Sequence, residues 1–193
     1  MRSLIASSLI SIFFCASFLS ASATAQTDAQ PGESFTLEST TFGSNTTLAT
    51  TQVYNEGDCN GGNLSPELHW KGAPGDTKSF AITMFDPDAR GGAGWWHWLV
   101  YDIDAKATSL AVGAGDPVKS PVGSISGKNS FGDDGYSGPC PPRDDKPHRY
   151  VFTIYALKVE HLGLPAGADA GAVKAALETN TLLSTTLQGQ YER

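Results

Sequence analysis

The sequence predicts an antiparallel β sandwich with one peripheral helix. Three observations carry this expectation. Segments 78–85 (KSFAITMF), 95–103 (WWHWLVYDI) and 148–159 (HRYVFTIYALKV) are long and rich in β-branched and aromatic residues. Glycine and proline are plentiful, 21 and 11, and dispersed as in a loop-rich β protein. Only one segment, late in the chain, has helical spacing. The 193 residues suit a single domain, and 40% hydrophobic with 17% charged content suits a folded core. No repeat of solenoid period is present.

The elements follow in order. Residues 1–25 carry Arg2, an apolar stretch over 4–19, and the small residues Ala23 and Ala25 before Gln26. That is the pattern of a secretory signal, with an uncleaved membrane anchor as the alternative. Residues 26–34 read as a polar tail, and 35–193 as the domain, with no transmembrane segment after cleavage. SFTLES (34–39) alternates as a first strand. NEGDCNGGNLSP (55–66) is a loop by composition, and LHW (68–70) a short strand. In 78–85, Phe80, Ile82 and Met84 point one way, and Ala81, Thr83 and Phe85 the other. Residues 120–147 form a long glycine- and proline-rich stretch, of the kind that is usually functional. Residues 169–180 place Val173, Ala176 and Leu177 on one helical face. A last strand is expected over 185–191.

Charge narrows the function. The net charge is -7, so nucleic acid offers no counterion-release gain and anionic lipid surfaces repel the chain. Loss of the signal removes one cysteine, Cys15, and leaves Cys59 and Cys140. An even pair in an exported chain reads as a disulfide, buried thiols being the alternative.

Residues with chemistry cluster at strand ends. His97 is expected to share a face with Trp95 and Leu99, and His148 with Tyr150. Asp86 and Asp88 close the strand before His97. If these ends converge, a carboxylate, two imidazoles and a phenol meet beside tryptophan. Such a pocket binds oxyanions: imidazole N–H and tyrosine O–H donate, and a protonated carboxylic acid can donate as well. Each residue has a plainer reading as core or turn. A metal site of Asp86, His97 and His148 is conceivable, but the spacing matches no metal motif. G-x-S-x-G, Walker and H-E-x-x-H motifs are absent from the sequence.

The strings DPDAR…GWWHWLV and GPCPPRDDKPHRYVFTIYAL, with CNGGNLSPELHW and DTKSFAI upstream, resemble the phosphatidylethanolamine-binding proteins, in particular their bacterial Raf kinase inhibitor-like branch. The resemblance spans roughly residues 35–191. It implies a large central antiparallel sheet packed on a smaller sheet, with helix near the C-terminus. It also implies a surface anion pocket built from Asp86, Asp88, Trp95, His97, Pro141, Pro142, His148 and Tyr150. Family members bind small anions such as phosphate, or phospholipid head groups, and some eukaryotic members inhibit kinases or proteases. Exported bacterial relatives carry both matching cysteines, which supports a Cys59–Cys140 bridge. One departure matters: the family usually reads D-P-D-A-P, and Arg90 stands at the last position here. A cis bond before arginine costs roughly 2.5–4 kcal/mol, which favours a trans bond, a reshaped rim and a guanidinium near the anion.

The resulting expectation is a periplasmic or secreted anion-binding protein, neither an enzyme nor dependent on a cofactor. The alternatives are an inhibitor of a protein target and a hydrolase using Asp86 with His97 or His148. Export makes a first prediction. Mass spectrometry of the extracytoplasmic form should find Gln26 at the N-terminus, and a membrane-bound protein retaining Met1 would contradict it.

Overall fold

The computed structural model describes residues 34–193; the signal segment 1–25 and all but the last residue of the 26–34 tail lie outside the described residues. The elements are β1 (Thr36–Glu38), β2 (Leu68–Lys71), β3 (Ser79–Asp86), the single turn α1 (Ala89–Gly92), β4 (Trp95–Asp104), β5 (Ser109–Leu110), β6 (Ile125–Ser126), β7 (His148–Leu157), α2 (Ala170–Asn180) and β8 (Thr181–Tyr191). The strands form a three-stranded sheet, β1-β2-β5, and a five-stranded sheet, β6-β4-β3-β7-β8. Every strand pairing is antiparallel. The expected mainly β class, with a large and a small sheet and a late helix, is what the chain adopts.

β3 lies at the centre of the large sheet, and both its faces are covered. Phe80, Ile82 and Met84 pack with Trp98, Val100, Phe152 and Ile154, and with Leu68, Trp70 and Leu110 of the small sheet. The other face sets Ala81 against Leu99, Tyr101 and Leu157, and against Val173 and Leu177 of α2. Each large side chain fully buried this way contributes about 1.5–3 kcal/mol. Asp169 caps α2 by accepting the Ala172 N–H at 2.9 Å. β8 begins at Thr181, earlier than the expected 185, because Leu157 and Ala156 of β7 pair with Thr181 and Leu183. The pairing is visible only in three dimensions; 181–184 lacks alternation of its own.

One expectation needs correction. The β3–β4 register passes from Met84 opposite Trp98 to Phe85 opposite Trp96, so His97 is the extra residue of a bulge. The bulge reverses the alternation beyond it. Trp98 then joins the first core and Leu99 the second. His97 therefore does not share a face with Leu99; its ring meets Tyr150, with centroids 5.3 Å apart.

The 120–147 stretch is not structureless. It contributes β6 to the edge of the large sheet and is fastened from inside. The Asn129 amide donates to the Gly135 carbonyl and the Ser137 hydroxyl, and its oxygen accepts the Phe131 and Asp133 N–H groups. The Tyr136 hydroxyl donates to the Gln52 carbonyl at 2.8 Å. Gly138 lies so close to that same carbonyl that any Cβ would collide with it. Cys59 and Cys140, 81 residues apart, are joined in a disulfide. Beside it, Arg193 pairs with Asp58 at 2.8 Å and donates to the Pro141 carbonyl, and Arg143 pairs with Asp58 from the other side at 3.1 Å. Among the described residues, no helix is long and apolar enough to cross a membrane.

A cross-link of this span stabilises by about 2–5 kcal/mol. The Cys59→Ser, Cys140→Ser double variant should lose that much in urea denaturation. An unchanged midpoint would show that the ion pairs and core hold the loop without it.

Candidate functional site

Antiparallel pairing brings the site together. β3 ends at Asp86, which faces Trp95 at the start of β4. β7 begins at His148 and runs beside β3, with Phe85 opposite Val151. The end of one strand and the starts of two others therefore meet at one edge of the sheet. Asp86, Asp88, Trp95, His97, Pro141, Pro142, His148 and Tyr150 all line one cleft there, of about 730 Å³. Every site residue expected from the sequence is thus brought together, and Cys140 of the disulfide lines the same wall.

Asp86 and His148 are both buried, and Asp86 Oδ2 lies 2.7 Å from His148 Nδ1. Asp86 Oδ1 accepts the N–H groups of Asp88 and Ala89, at 2.8 and 3.1 Å. Both oxygens are thus engaged within the protein, Oδ1 by the turn and Oδ2 by His148. Asp145 reaches the other nitrogen, His148 Nε2, at 3.3 Å. Burial pushes His148 toward its neutral form, but the hydrogen bonds and charges of Asp86 and Asp145 outweigh burial and hold it above the ordinary 6.5.

His97 differs. It is fully enclosed, and burial pushes it down to about 4. Its Nδ1 lies 2.7 Å from the Ser137 carbonyl, so the neutral ring donates there and keeps a lone pair on Nε2. The two histidines of the cleft are therefore unlike: their surroundings favour the charged form of His148 and the neutral form of His97. Burial also pushes the Tyr150 phenol well up. Tyr150 is fully buried, and its hydroxyl has no hydrogen-bond partner among the described residues; nor does the indole N–H of Trp95.

Asp88 serves the frame. Arg149 grips both its oxygens, at 2.9 and 3.0 Å, and donates a backbone N–H as well. The Arg149 hydrogen bond is the largest influence on the Asp88 carboxyl and, with Lys146 nearby, holds it well below the usual carboxylate range. The Ala89–Arg90 bond, for which arginine favours trans, is trans, as are the other described peptide bonds. Arg90 takes a left-handed conformation, φ 51°, and its guanidinium sits 4.0 Å from the centroid of the Trp95 ring.

The sequence reading did not single out Phe131, Asp145 or Lys146, which also line the cleft. Phe131 meets Trp95 and His97 edge-on and stacks on Tyr54. All three lie in the 120–147 stretch, where no periodicity marks the inward-facing residues. The proposed metal reading does not match the geometry, since both His148 nitrogens face carboxylates as hydrogen-bond partners.

Comparison with known proteins agrees with the fold. The sequence profile described as phosphatidylethanolamine-binding protein matches residues 30–192. UPF0098 protein YbcL of Escherichia coli (strain K12) is 44% identical over 147 residues, 75% of this chain and 80% of that protein. UPF0098 protein YbhB of the same organism is 37% identical over 140 residues, 72% of this chain and 88% of that one. The crystal structure of E. coli YbcL, described as a new member of the mammalian PEBP family, matches with a TM-score of 0.80 at 40% identity, covering 82% of this chain and 98% of its own. The homologue CT736 from Chlamydia trachomatis matches with a TM-score of 0.69 at 28% identity, over 82% and 97% of the two chains. With a profile spanning the whole described domain and relatives this similar, the chain belongs to the phosphatidylethanolamine-binding protein family.

Proposed function

We propose that this chain binds a small oxyanion, either phosphate or the phosphate of a phospholipid head group, and does so outside the cytoplasm. The observation that carries the reading is the Tyr150 hydroxyl, fully buried in the cleft wall with no partner among the described residues. A buried polar group left unsatisfied costs about 1–3 kcal/mol, and an oxyanion seated beside it supplies the missing acceptor. His148 adds positive charge and the Trp95 indole a second unpartnered donor. Trp95 and Phe131 lower the local polarity and strengthen those bonds.

Binding fits this geometry better than catalysis. Asp86 and Asp145 favour the charged form of His148 and face both its nitrogens, which leaves neither free to take a proton from a substrate. His97 is a weak base. Neither serine nor threonine lines the cleft, so neither of those hydroxyls is placed to serve as a nucleophile beside either ring. The Cys59–Cys140 bridge and the signal-like N-terminus support the periplasm or the extracellular space.

The pH dependence follows from the direction of the His148 shift. The fold favours its charged form, so the proton is retained beyond 6.5 and lost only above it. Affinity for a phosphodiester of constant charge, such as glycerophosphoglycerol, should therefore fall as pH rises through that elevated value. His97 should contribute nothing between about pH 6 and 8. Calorimetry should also show His148→Ala weakening phosphate and phosphodiester binding by about 1–4 kcal/mol, the Coulomb interaction of one charge at about 4 Å, since both its nitrogens face carboxylates and it acts on the anion through its charge; Tyr150→Phe should weaken it by about 0.5–1.5 kcal/mol. Wild-type affinity in both variants would place the ligand elsewhere.

A further inference from the structure

The cleft holds three carboxylates, Asp86, Asp88 and Asp145, and at first sight these invite the ammonium group of an ethanolamine head group. Each is already engaged. Asp86 is taken by His148 and two backbone N–H groups. Asp88 is gripped by Arg149 and approached by Lys146 at 3.5 Å. Asp145 accepts the Lys146 N–H on one oxygen and faces His148 with the other. Asp145 alone of the three is half-exposed, and a second place for an ammonium is an aromatic face, where cations are attracted to the ring quadrupole. One face of Trp95 is covered by the Arg90 guanidinium at 4.0 Å. Phe131 is stacked on Tyr54 and turned edge-to-face toward Trp95.

Charge points the same way. Asp86 and Asp145 share His148, and Asp88 is matched by Arg149 and Lys146. Arg90 is exposed, lines the cleft and has no carboxylate partner among the described residues. It is the surplus cation of the cleft.

We propose that the cleft selects phosphate esters that lack an ammonium group, and that Arg90, by covering Trp95 and adding a free positive charge, sets this selectivity. The inference rests on the anion-binding reading of the same cleft. It narrows the ligand to an anionic phosphodiester, either free or as the head group of an anionic lipid held by the local positive charge of Arg90 against the repulsion of the chain's net charge of -7. Zwitterionic ethanolamine phosphodiesters are disfavoured because Arg90 covers one face of Trp95 and its charge repels their ammonium.

The test compares matched probes on the wild type and on Arg90→Asn. Asparagine tolerates the left-handed backbone at this position while removing the charge and the stack. Glycerophosphoglycerol and glycerophosphoethanolamine are the soluble pair, measured by calorimetry. Phosphatidylglycerol and phosphatidylethanolamine, each in phosphatidylcholine vesicles, are the lipid pair, measured by flotation. The wild type should prefer the glycerol member, and Arg90→Asn should reduce that preference by about two- to fivefold. The preference appearing on vesicles assigns the ligand to a lipid, and its appearing only in solution assigns it to a free ester; either supports the proposal. A wild type that prefers the ethanolamine member, or an Arg90→Asn variant with the wild-type preference, overturns it. A wild type that binds none of the four probes refutes the anion-binding reading itself.

Discussion

The contact between Asp86 and His148 is the constraint on which the cleft depends. It is buried and only 2.7 Å long, and it clamps the end of β3 to the start of β7. A buried ion pair gains little net stability, because desolvation offsets the attraction, but removing one partner alone is costly. The surroundings reflect that. Asp86 receives two further N–H groups from the turn it begins, and His148 gains a second acid in Asp145. The DPD turn, the α1 turn and the start of β7 are thereby fixed relative to one another. A donor set for an anion needs that rigidity more than it needs stability.

The second half of the cleft comes from the long loop, and its placement hangs on His97. The bulge in β4 turns the His97 ring toward Tyr150 and brings Nδ1 to the Ser137 carbonyl. Ser137 in turn is tied to Asn129 and Asp133, which fold the loop back on itself. Beyond it, the disulfide and the Arg193 contacts with Asp58 and Pro141 hold the proline wall. One strand irregularity thus joins a sheet edge to a segment that lacks periodic order. It also explains why two histidines of one cleft hold their protons so differently: His148 faces acids, and His97 faces a carbonyl in an apolar enclosure.

Much of this was legible in the sequence. Alternation marked β3, β4 and β7, and the face of β3 carrying Phe80, Ile82 and Met84 was assigned as it occurs. The polar residues at the ends of those strands identified the cleft. Alternation failed at Leu99, because a bulge inserts one residue without any glycine or proline to announce it. The start of β8 was missed because its partner, and not its own pattern, makes 181–184 a strand. Phe131, Asp145 and Lys146 were missed because loop residues turn inward through tertiary contacts such as those of Asn129, which no local period encodes. Arg90 was visible as a departure from the family pattern, but its seat over Trp95 required the fold.

The unequal protonation of the two histidines is the central electrostatic claim, and imidazole nitrogen NMR tests it most directly. The account predicts that His148 remains doubly protonated past pH 6.5 and loses its proton only above it. It predicts that His97 stays neutral, with its proton on Nδ1, until the pH approaches about 4. A His97 already charged at about pH 6, or a His148 neutral there, would contradict the account.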